Sequence, residues 1–144
     1  MMEFLNYLGK FHPVILHLPI GALYLTFCLA LLENFFKSKY TIPIRFGLLF
    51  SFVFALISAL LGFFLTLGDN FSGQIVDIHM WLGISTALFI GLLLWIHKTT
   101  KYSVVFFPLF TFTVILLSVT GHFGGQITHG KDYLKLRFKY FAQY

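Results

Sequence analysis

Six histidines carry most of the chemistry open to this chain, and five stand near segment ends that come to one side. His12 and His17 open the first long apolar segment, and His79 lies near the start of the third. His122 and His129 follow the fourth, and His97 stands apart beside Lys98. Neutral imidazole is the commonest metal ligand, and its second nitrogen needs an orienting partner. The other reactive side chains offer less. Cys28 is the single cysteine and lies in an apolar run, so it provides neither a disulfide framework nor a Cys-based cluster, and no Cys-x-x-Cys-His for covalent haem attachment occurs. No Ser-His-Asp arrangement, phosphate loop or inward carboxylate pair appears, Asp69 and Asp77 lying in or beside a connection. The chemistry expected is ligation, with no catalytic residue assigned.

The elements that must position these histidines are membrane helices. Of 144 residues, 58% are hydrophobic and only 10% charged, against roughly 25% charged in soluble domains. Four apolar segments are predicted, at about 13–32, 43–67, 74–96 and 103–120, each long enough to cross ~30 Å of hydrocarbon at 1.5 Å per residue. The first is too long for a signal-peptide core and no Ala-x-Ala site follows, so it reads as a retained helix. Pro13 and Pro43 suit first helical turns. Pro19 and Pro108 are expected inside their helices, kinking them. Short connections predict antiparallel neighbours, and the fold class is an all-α, integral-membrane, up-down-up-down four-helix bundle. The whole chain, 1–144, forms one transmembrane domain with a basic tail over 121–144. Ser51, Ala55 and Ala59 on the second helix, and Gly83, Ala87 and Gly91 on the third, are spaced as packing faces.

Charge sets the expected orientation. Lys37, Lys39 and Arg45 in or beside the first connection, and Lys98 and Lys101 in the third, place both inside by the positive-inside rule. Both termini then face the periplasm of a bacterial inner membrane, although Lys131, Lys135, Arg137 and Lys139 make the tail basic. The net charge of +5 fits loop topology and lipid headgroups, and nucleic acid is not an expected partner.

In such a bundle His12, His17, His79, His122 and His129 gather at the outer surface. His17 lies ~6 Å into its helix and His79 at a similar depth. An ionisable residue inside a membrane segment is costly and is by default a functional candidate. Two imidazoles at matched depth on different helices are what b-type haem requires. His17 and His79 are the expected axial ligands, His122 the substitute for either, with propionates towards His12, His122 or the tail. His12 and His17 are ~140° apart around a helix, so they do not share one ion. For His12 and His129 a capping or loop-holding role competes with a cofactor contact, and His97 reads as an interfacial polar residue. Two other functions stay open: a periplasmic-side copper, zinc or iron site, and a cofactor-free subunit that anchors a partner.

Phe11-His12-Pro13-Val14-Ile15-Leu16-His17-Leu18-Pro19-Ile20 resembles the His-Pro-x-x-x-His-x-Pro-Ile opening of an uncharacterised bacterial family of four-helix membrane domains. Gly121-His122-Phe123-Gly124-Gly125-Gln126-Ile127-Thr128-His129-Gly130-Lys131-Asp132-Tyr133-Leu134 is similar to the segment closing one branch of it, in which a planctomycete-type cytochrome c domain often follows. His79 matches that family's histidine at the start of its third helix. The resemblance implies a redox setting, an outward C-terminal side and a c-type cytochrome as partner within a larger complex. This sequence departs from the fused pattern in reaching Tyr144 with no cytochrome domain.

Overall fold

The computed structural model describes residues 1–36, 39–68, 71–99 and 104–130. They form α1 (Met2–Gly9), α2 (His12–Ile15), α3 (His17–Phe36), α4 (Thr41–Thr66), α5 (Gln74–Thr99) and α6 (Phe106–His129). Four segments are long and apolar enough to cross a membrane: Met2–Phe36, Thr41–Thr66, Gln74–His97 and Phe106–His129. The chain is an all-α four-helix bundle and a multi-pass membrane protein. Successive spans pack on one another, α3 on α4, α4 on α5 and α5 on α6, and α3 meets α6 to close the ring.

The apolar core lies towards the end that carries the α3–α4 and α5–α6 connections. Leu23 and Ala30 of α3, Ile44 and Leu48 of α4, Ile90 and Leu93 of α5, and Phe106 and Phe110 of α6 are fully buried there. The expected small-residue rows face the interior. Ser51 and Ala87 are buried, and a Cβ on Gly91 would stand 2.8 Å from the Phe52 ring of α4. Most of the buried hydroxyls bond to the carbonyl four residues back: Thr26 to Ala22, Thr86 to Leu82, Thr113 to Leu109 and Thr120 to Leu116. A helix in lipid can thus hold a hydroxyl without an outside partner.

Several boundaries differ from those read in the sequence. Pro108 is the third residue of α6, in a first turn where its missing N–H costs nothing, so no kink arises there. Pro19 is likewise the third residue of α3, and the chain breaks one turn earlier, at Leu16. The last helix continues past Thr120 for nine residues, through His122 to His129. Gly121, Gly124 and Gly125 lie within it, as glycine is common within membrane helices. The stop is Gly130, whose φ of 87° only glycine adopts freely and whose N–H bonds to the Gln126 carbonyl at 3.0 Å. Glu33, read as part of a connection, lies inside α3 and is buried, accepting a hydrogen bond from Thr41 Oγ1 at 3.1 Å. Lys37, Ser38, Asp69, Lys101 and the basic tail from Lys131 onwards lie outside the described residues.

The N-terminal helix α1 was not anticipated. It packs along the far end of α4, where a Cβ on Gly9 would stand 2.7 Å from the Leu65 backbone nitrogen. Only a residue without a side chain permits that approach.

Candidate functional site

At the end of the bundle away from the apolar core, two imidazoles meet. The rings of His12 in α2 and His79 in α5 stand 6.1 Å apart, centroid to centroid, with their planes at 85°. Each is half-buried and held by a neighbouring helix. His12 Nδ1–H donates to the Ser58 carbonyl oxygen of α4 at 2.8 Å, with Ser58 Oγ 3.2 Å from the same nitrogen. His79 Nδ1–H donates to the Thr120 carbonyl oxygen of α6 at 3.0 Å. A carbonyl oxygen can only accept, so both rings carry a proton on Nδ1, and Nε2 is the nitrogen that the neutral form offers as a ligand.

The two seats are built alike. A helical carbonyl has one lone pair for the N–H four residues on and a second for an outside donor. In both seats the residue four positions on is glycine, and it touches the same imidazole. A Cβ on Gly62 would stand 3.2 Å from His12 Cε1, and one on Gly124 would stand 3.0 Å from His79 Cε1. Ser58-x-x-x-Gly62 thus receives His12, and Thr120-x-x-x-Gly124 receives His79. Thr120 is steadied by its own hydroxyl, 3.2 Å from Thr86 Oγ1 on α5. The helices that present the two rings have their main packing elsewhere, α2 on α3 and α4, and α5 on α4 and α6. The imidazoles meet across that seam.

The other expected ligands are placed differently. His17 is exposed, and its Nδ1–H folds back on the Pro13 carbonyl oxygen at 2.5 Å. Its ring is turned back onto α2, and the histidine brought against His79 is His12. His122 is exposed on α6, its Nε2 2.8 Å from the Gln126 side-chain nitrogen, which donates to it. His129 is the exposed last residue of α6. His97, read as interfacial, is instead only 5% exposed, its ring 5.6 Å from that of Phe106 at the opposite end of the bundle. Among the described residues no group of three or more His, Cys, Asp or Glu side chains is placed to hold a metal ion.

Sequence reasoning missed Ser58, Gly62, Thr120 and Gly124. Their signal was present in the Ser/Thr-x-x-x-Gly spacing on two helices, one turn apart on a single face. The chain matches no family model, no curated protein and no solved structure.

Proposed function

We propose that this protein is a membrane subunit that holds one b-type haem through His12 and His79 and passes electrons at the surface where those residues lie. The observation that carries the reading is the matched pair of seats, each fixing an imidazole by Nδ1 and leaving Nε2 as a ligand. The donor set fits that group. His12 and His79 come from different helices with their rings 6.1 Å apart, and would supply two imidazole nitrogens to one iron. A structural zinc site takes four ligands, and a catalytic one takes three from the protein. A pair of imidazoles suits a group that brings its own equatorial nitrogens.

Bound haem supplies one-electron chemistry, and its potential is tuned by axial ligands and the hydrogen bonds behind them. The Ser58 and Thr120 carbonyls would make both imidazoles stronger donors and hold their orientation. The basic connections support an inner-membrane orientation with both termini and the histidine pair on the periplasmic side. A periplasmic c-type cytochrome within a larger complex is the partner that this placement suits.

The test is the visible spectrum of the full chain, produced with ample haem and its native partners and purified in detergent. Wild type should give the sharp low-spin spectrum of two imidazole ligands. His12→Ala and His79→Ala should each lose it, while His17→Ala, His122→Ala and His97→Ala should keep it, all variants matched for helicity and elution. Loss with His17→Ala and retention with His12→Ala would return the ligand role to His17. Folded wild type that carries a metal ion without haem would instead be a metal-handling protein, and one with neither would be an anchoring subunit.

A further inference from the structure

A second feature lies at the opposite end of the bundle, on the lipid-facing side of α4 and α5. Arg45, Leu49, Gly91, Leu94 and Trp95 line a groove of about 230 Å³ between those helices. Its walls are apolar except for one guanidinium. Gly91 opens the floor, because the bare backbone there lets Phe52 lie against α5. Leu49 and Trp95 flank it, exposed to 48% and 62%. Arg45 is the fifth residue of α4, one turn into a span long and apolar enough to cross a membrane, and it has no hydrogen bond or ion pair with any described residue. A cation at that depth needs a counter-ion, and a guanidinium matches phosphate by geometry as well as charge.

We infer that this groove is a binding site for an anionic phospholipid, with the headgroup phosphate on Arg45 and an acyl chain along Leu49, Gly91 and Leu94. Charge complementarity selects the occupant. The trough takes a flexible hydrocarbon chain, and its single cation sits where a phosphate would be when that chain lies in the membrane. Trp95 stands at the same level, the depth that indole favours at the membrane–water boundary. Arg45, like Lys39, lies at the basic end, where anionic headgroups concentrate. The site is independent of the histidine pair and of any haem.

Native mass spectrometry of the full chain tests it, with phosphatidylglycerol and phosphatidylcholine of identical acyl chains added in equal amounts. One phosphatidylglycerol per chain should be retained with roughly five-fold preference, the gain expected from one basic residue near an anionic headgroup. Arg45→Gln should remove the preference, and Lys39→Gln, outside the groove, should keep it. Leu49→Trp, which fills the trough and leaves the charge, should lower retention of both lipids. Equal retention of both lipids by wild type overturns the site. So does a preference that survives Arg45→Gln, or one that Lys39→Gln removes equally, since the whole basic surface would then be responsible.

Discussion

Gly121, Gly62 and Gly124 are indistinguishable as letters, yet their surroundings assign them opposite effects on stability. A Cβ on Gly121 would meet nothing within 4 Å. Alanine there should stabilise the helix by about 0.5–1 kcal/mol, the ordinary gain over glycine in a helix interior. At Gly62 and Gly124 the same methyl group lands against an imidazole, 3.2 Å and 3.0 Å from the nearest ring carbon. Each substitution should cost about 1–3 kcal/mol, as overpacking does at a tight site. Thermal unfolding in detergent checks this, and three variants that all gain stability would mean the imidazoles are not seated as described. That His79 belongs to a site was open to a sequence reading because ionisable residues are rare in apolar segments. The wider gathering with His17, His122 and His129 is not what the structure shows. Which histidine meets His79 was not legible in the sequence. His12 lies outside the expected helix boundary, and its rotation relative to His17 depends on breaks that residue spacing does not report.

Elements were read more reliably than their ends. Hydrophobic runs and short connections predicted four antiparallel spans, and the rows through Ala87 and Ser51 predicted buried faces. Helix ends in lipid depend on local events, such as a first-turn proline at Pro108 or a positive φ at Gly130. The helix α1 escaped because eight residues that carry Glu3 and Asn6, with Lys10 just beyond them, do not resemble a span. Its anchorage should be separable from the bundle. Gly9→Leu puts a branched side chain where the α4 backbone already lies, with the first added carbon 2.7 Å from the Leu65 nitrogen. Hydrogen exchange over residues 2–9 should rise several-fold while exchange in α4, α5 and α6 stays unchanged. Unchanged protection of α1 would show that Asn6 and its neighbours, not the Gly9 approach, hold it in place.

At the scale of the whole molecule, the two ends of the bundle differ in kind. One is packed with Phe106, Phe110, Ile44 and Leu93, and the other holds paired rings and hydroxyls. If the basic connections face the cytoplasm, a reporter active only in the periplasm should work when fused after Tyr144, and one active only in the cytoplasm when inserted near Ser38. The reverse pattern would move the histidine pair to the cytoplasmic surface and remove a periplasmic cytochrome as partner. The ring pair also sits at a point with a geometric duty. Met2–Phe36 as one straight helix would be about 52 Å long, against about 30 Å of hydrocarbon, whereas the 20 residues of α3 span about 30 Å. Turns at Lys10–Phe11 and at Leu16 interrupt that length, one on each side of His12. The interruptions at which a long first span could adjust to the bilayer therefore flank the residue that meets His79. If those interruptions yield when acyl chains are shortened or lengthened, the spacing of the two rings should change with bilayer thickness.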